Sequence, residues 1–152
     1  MSLKPVMMQE RAHKGVTHFV DISHTDLTQT TADTAQAIQI LAAPRGTLVE
    51  VVGTWLMEAF EDTADAAFNT TTLEIGDAAD ADRLLVSQET NVKGTEVYAK
   101  AGTGAYAYDG ATATAVNATF SAMAAKNLAA LKTGKVRIYL RIVDLTKPGD
   151  RD

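Results

Sequence analysis

The chain contains no cysteine, which excludes disulfides, thiolate metal sites and a Cys nucleophile together. Proline occurs only 3 times in 152 residues, and the 10 glycines are spaced as turns between strands rather than as a flexible linker. Aromatic residues make up 6% of the chain and are scattered singly, so no sugar-binding aromatic cleft is legible. No apolar run approaches the ~18–20 residues that cross a bilayer as a helix. Residues 1–15 lack the apolar centre of a signal peptide, which makes synthesis in the cytoplasm the expectation.

Basic charge is scarce through the middle of the chain. Residues 1–14 carry 3 basic and 1 acidic side chain, and residues 126–152 carry 7 basic and 3 acidic. The overall charge of −5 therefore leaves −11 on the residues between them. A field of that sign argues against a nucleic-acid-binding core, and the basic ends either keep the termini solvated or dock on an acidic partner surface.

What is abundant is Ala and Thr, and apolar residues recur with a period of two. Thr favours pleated surfaces because its branched Cβ restricts χ1. Val16, Val20 and Ile22 share one strand face, with His18 between them, and Ile38 and Ile40 share another before a turn at Ala42-Ala43-Pro44-Arg45-Gly46. Residues 47–60 fit both periods. The β-branched Val-Glu-Val-Val-Gly-Thr stretch decides for a strand bent at Gly53, with Val49, Val51, Trp55 and Met57 on one face. Thr71, Leu73 and Ile75 face inward on the next strand, and residues 77–86 hold one helical turn capped by Asp80. Short strands at 96–100 and 105–108 flank Gly102-Thr103-Gly104, and a further strand carries Val116, Ala118 and Phe120. Residues 121–131 suit a helix or an irregular crossover. Residues 135–143 give the clearest element, with Val136, Ile138, Leu140 and Ile142 buried and Lys135, Arg137, Tyr139 and Arg141 on a wet cationic face.

About eight strands with few helices predict a mainly β, single-domain β-sandwich of jelly-roll type, with at most one or two short helices. The expected organisation is an extended N-terminal arm over 1–15, the sandwich over 16–146 and a tail over 147–152.

Catalytic and metal-binding constellations are not found. His13, His18 and His24 lie at intervals of five and six, which do not converge on one strand face, so no metal site is expected. Asp77, Asp80 and Asp82, with Asp62 and Asp65 nearby, form the densest carboxylate group but lack the central Gly and terminal Glu of an EF-hand. Gly102-Thr103-Gly104 lacks the Lys-Ser/Thr and the strand-to-helix frame of a phosphate loop. The chain is read as a non-enzyme without cofactor.

The order of segments resembles that of small structural proteins from the head modules of tailed bacteriophages, which serve as capsid decoration or cement proteins. The resemblance runs through Asp26-Leu27-Thr28, Ala37-Ile38-Gln39-Ile40-Leu41, Gly46-Thr47-Leu48-Val49 and Ala67-Phe68-Asn69. It continues through Leu73-Glu74-Ile75-Gly76-Asp77, Asp82-Arg83-Leu84 and the closing Val136-Arg137-Ile138-Tyr139-Leu140-Arg141-Ile142-Val143-Asp144-Leu145, covering roughly residues 16–146. It implies a virion protein on the capsid surface that binds the assembled shell and cements neighbouring major capsid subunits, as a homotrimer, without touching nucleic acid or membrane. Val6, Met7 and Met8 are the expected arm anchors, with Arg11 and Lys14 meeting the shell. The competing readings are a carbohydrate-binding jelly roll with a platform at Tyr106 and Tyr108, a tail- or fibre-associated β-domain, and a cation-dependent hydrolase using the aspartates.

Overall fold

A computed structural model describes residues 1–5, 15–65, 68, 70–91, 97–100 (as backbone) and 103–147. Among these the chain forms ten strands: β1 Lys4–Pro5, β2 His18–Ser23, β3 Gln36–Ala43, β4 Thr47–Glu61, β5 Thr72–Gly76, β6 Leu85–Glu89, β7 Val97–Lys100, β8 Tyr106–Tyr108, β9 Thr114–Phe120 and β10 Thr133–Asp144. Two single 3₁₀ turns, His24–Asp26 and Leu128–Ala130, are the helical elements described.

The strands form two antiparallel sheets. Sheet A runs β1-β2-β10-β4-β7, with β8 pairing the other half of β4, and sheet B runs β3-β9-β5-β6. The pairings are nested. β5 pairs β6, β4 pairs β7 and β8, β3 pairs β9, and β2 pairs β10. The chain is thus one long hairpin with its tip at residues 77–84, and successive strand pairs go to alternate sheets. Lateral pairing of β10 with β4 and of β9 with β5 closes each sheet. This is jelly-roll topology, as the alternation of the sequence predicts.

The core lies between the inner faces. Val20, Ile22, Val49, Val51, Leu56, Val136, Ile138 and Leu140 come from sheet A, and Ile40, Leu73, Ile75, Leu85, Val116, Ala118 and Phe120 from sheet B. Phe60 and Phe120 meet across it with ring centroids 5.0 Å apart. Thr54, buried on β4, donates its hydroxyl to Gln88 Oε1 on β6 at 2.8 Å, tying one sheet to the other.

Three sequence expectations need correction. On β4 the inward parity reverses: Val49 and Val51 are buried, then Thr54, Leu56 and Phe60, because Val52 is an extra residue between the pairs Gly53–Tyr139 and Val51–Leu140. A bulge shifts the side-chain alternation by one, so Trp55 and Met57 face outward. No helical turn forms at 77–86. Asp77, not Asp80, caps the loop, its Oδ1 accepting the amides of Ala79 at 2.9 Å and Asp80 at 3.1 Å. β6 follows where no strand was expected. β7 and β8 both pair with β4, and 121–131 takes the irregular crossover, one of the two forms the sequence allows.

Gly134 sits at φ +136 where β10 begins, and a Cβ there would fall on the Phe60 ring. Gly134→Ala therefore combines backbone strain with overpacking and should cost about 3 kcal/mol. Urea unfolding measures this directly; a loss under about 0.5 kcal/mol, the range of a neutral surface change, would contradict the packing described.

Candidate interaction surfaces

The outer face of sheet A is built by the three strands that the β2–β10–β4 pairing brings side by side. The register places Asp21, Arg137 and Trp55 in one row and Phe19, Tyr139 and Gly53 in the next. Tyr98 and Lys100 on β7 occupy the register positions beyond Trp55 and Gly53. Arg137 grips Asp21 with two bonds, Nε to Oδ1 at 2.7 Å and Nη2 to Oδ2 at 2.9 Å. Its guanidinium also lies over Phe19, 4.3 Å from the ring centroid, and 5.9 Å from that of Trp55. Arg141 pairs with Glu50 at 2.7 Å one row further along, and the Lys4 ammonium sits 5.7 Å from the Phe19 centroid.

The cationic wet face expected of β10 is therefore a set of ion pairs. Because β10 is central in sheet A, its arginines stand opposite carboxylates of the acidic middle of the chain. Part of the charge asymmetry of the sequence is thereby met inside the fold. The hydrogen bonds and charge of Arg137 hold the Asp21 carboxyl below the usual carboxylate range, although partial burial opposes them. What remains is a half-buried face of Phe, Trp, Tyr and neutralised Arg, including the one tryptophan of the chain. Those residue types dominate the energetics of protein interfaces.

A second cluster sits at the hairpin tip. Asp77 is buried, and its Oδ2 accepts a bond from Arg83 Nε at 2.7 Å. Burial alone would raise the Asp77 carboxyl; the Arg83 bond and the two loop amides outweigh it and leave it lowered. The Arg83 guanidinium covers the Tyr106 ring, 4.1 Å from its centroid, and Tyr106 meets Tyr108 edge-on at 4.9 Å. Tyr108 is only 3% exposed. Burial and the Asp77 charge push its hydroxyl above the usual phenol range. A Cβ on Gly76 would collide with the backbone of Asp80 and Ala81, so the loop folds tightly back over the strand end.

These contacts bear on the competing readings. A sugar platform needs several open aromatic faces, and here Tyr108 is buried and Arg83 occupies one face of the exposed Tyr106. The hydrolase reading needs a free carboxylate, and Asp77 is held by Arg83 and two amides. Asp80 and Asp82 share a hydrogen bond that raises the Asp82 carboxyl, both at the loop surface. His18 Nδ1 lies 2.9 Å from Thr17 Oγ1, and His24 is at the opposite end of β2. Among the described residues no group of three His, Asp or Glu side chains is arranged to hold a metal. The expected arm anchors Val6, Met7 and Met8, with Arg11 and Lys14, lie outside the described residues, as does His13. Residues before them return to the domain: Lys4 and Pro5 pair with Phe19 and His18 at the edge of sheet A.

One solved structure is similar in architecture, a chain of the cyanophage Pam1 capsid asymmetric unit, at 25% identity and a TM-score of 0.51. The likeness supports a phage capsid-related protein. It covers 80% of this chain and 79% of that one, so the two are of nearly equal length and match along most of both. No protein-family model matches the chain, and a search of curated proteins also finds no match. Among the described residues no helix is long and apolar enough to cross a membrane.

The lowered carboxyls set an acid limit on stability. A carboxyl whose folded pKa is depressed contributes stability above its unfolded value near 4, and loses it as pH falls through the folded value. Stability of the wild type should therefore drop between about pH 4 and pH 2. Asp77→Asn should flatten that slope at the cost of lower stability at pH 7. Urea titrations at a series of pH values check this; an unchanged slope would show that the Asp77–Arg83 pair carries no acid sensitivity.

Proposed function

We propose that this chain is a structural protein of a bacteriophage virion that binds the outside of the assembled capsid and cements neighbouring major capsid subunits, acting as a homotrimer. The carrying observation is the likeness, over 80% of this chain and 79% of the other, to a chain of the cyanophage Pam1 capsid asymmetric unit. Fold alone does not define function, since jelly rolls serve both capsids and lectins. The tip geometry favours the capsid side of that choice, because Tyr108 is buried and Arg83 stacks on one face of the exposed Tyr106.

A cement protein acts by mass action. Binding only the assembled shell stabilises that shell by the binding free energy, and many copies on one lattice add avidity. In this reading the aromatic and arginine face of sheet A supplies the central contact. Its side chains are already held by ion pairs and ring contacts, so little rotamer entropy remains to be lost on docking. Val6, Met7 and Met8 extend the contact as an arm, with Arg11 and Lys14 beside them. The role is structural rather than catalytic. Partners are the major capsid protein and further copies of this chain, and an acidic chain of −5 has no call on nucleic acid.

Electron microscopy of particles assembled with and without the protein tests the assignment. Extra density on the outer surface of the shell is expected only when the protein is present. Trp55→Ala should lower its occupancy about tenfold or more at limiting concentration, and Val6→Ser/Met7→Ser/Met8→Ser should lower it too, while circular dichroism stays that of the wild type. A shell that never binds the folded wild-type protein overturns the proposal.

A further inference from the structure

The two sheets expose four edges, and they are not alike. Sheet A ends in β1, two residues closed by Pro5, and in β7 and β8, four and three residues long, displaced from each other along β4. Shortness, proline and interruption are the usual protections of a sheet edge against pairing with another chain. In sheet B, β6 has five residues and carries Glu89. The remaining edge, β3, is eight residues of Gln-Ala-Ile-Gln-Ile-Leu-Ala-Ala, without charge or proline, its one irregularity an extra residue at Ile40 against β9. The amide of Gln36 is bound into the preceding segment, accepting from the backbone of Thr28 and Gln29 and donating to Asp26 O. From Ala37 to Ala43, β9 is the sole strand neighbour among the described residues, and no turn or loop amide bonds to this stretch.

We infer that β3 is a docking edge for the same strand of a second copy, the two sheets B continuing into each other across a two-fold axis. The occupant follows from charge. The chain carries −5, so two copies repel each other overall. Along β3 nothing repels: the outward side chains Ala37, Gln39 and Ala42 are small or neutral, and the adjoining positions Ala115, Asn117 and Thr119 on β9 are uncharged as well. An antiparallel strand pair is self-complementary under a two-fold operation. A Gln amide both donates and accepts, so it can face its own copy. On a shell such contacts would join neighbouring units of the protein to one another. The inference stands apart from the shell-binding proposal, because self-association is measured without any capsid.

The test is light scattering on the full chain over rising concentration, up to about 1 mM, the local concentration that tethering on a lattice supplies. The mass of the unit present at low concentration should double. In Gln39→Glu/Ala42→Glu like charges face each other across the axis, and the doubling should weaken about tenfold. Mixing that variant with Gln39→Lys/Ala42→Lys should restore it, which also shows that both variants are folded. A wild type that never doubles overturns the inference, as does a Glu variant that doubles as well as the wild type. If that Glu variant doubles normally but no longer decorates capsids, β3 takes a strand of the shell instead, and the shell-binding proposal survives without the second-copy contact.

Discussion

The position of the last strand governs this molecule. β10 runs from Thr133 to Asp144 between β2 and β4, the centre of sheet A, and pairs with β4 from Thr133–Glu61 to Asp144–Thr47. Its inner side chains Val136, Ile138 and Leu140 are buried against sheet B, and burying each contributes about 1.5–3 kcal/mol. Its outer side chains, Arg137 and Arg141, reach sideways to Asp21 on β2 and Glu50 on β4. Pairing with β2 closes the outermost turn of the nested hairpin, so the ends of the sandwich meet only when this strand is in place. Exposed ion pairs alone are worth little. Here they sit on a ladder already fixed by apolar burial, and the Asp21 pair holds Arg137 over the Phe19 ring.

Much of this was legible in the sequence. Strict alternation over 135–143, 112–120 and 70–75 gave β10, β9 and β5 with the correct inward residues, since one buried and one wet face leave a period of two. The reversal on β4 was not legible: a bulge at Val52 changes no residue type, and Val49, Val51, Trp55 and Met57 keep an unbroken period that the fold does not use. β6 escaped because Leu84 and Leu85 are adjacent and Val86-Ser87-Gln88-Glu89 shows no alternation; its partner, β5, defines it. The loop before it was read as a capped helical turn because Asp80 precedes Arg83-Leu84-Leu85. Capping depends on which carboxylate the backbone brings to free amides, and the close return over Gly76 gives that role to Asp77.

The interaction face was less legible than the fold. Phe19, Trp55 and Tyr139 are far apart in sequence and become neighbours only through the register of three strands. Placing Trp55 on one face with Val49 and Val51 hid it. The basic C-terminal segment was read as an external docking charge, whereas a central strand must satisfy its charges against its neighbours first. What leaves the molecule available for partners is therefore chiefly aromatic area and an uncharged sheet edge, rather than net charge. This agrees with a phage capsid-related protein.

Amide hydrogen exchange on the folded protein tests the central role of β10 most directly. Amides of Val136, Ile138 and Leu140, with those of Val51 and Leu56 on β4, should exchange slowest in the chain and only through global unfolding, while β6 at the edge of sheet B exchanges faster by local opening. Exchange of the β10 amides at the rate of β6 would contradict the account, because the strand that closes the nested hairpin would then open without the rest.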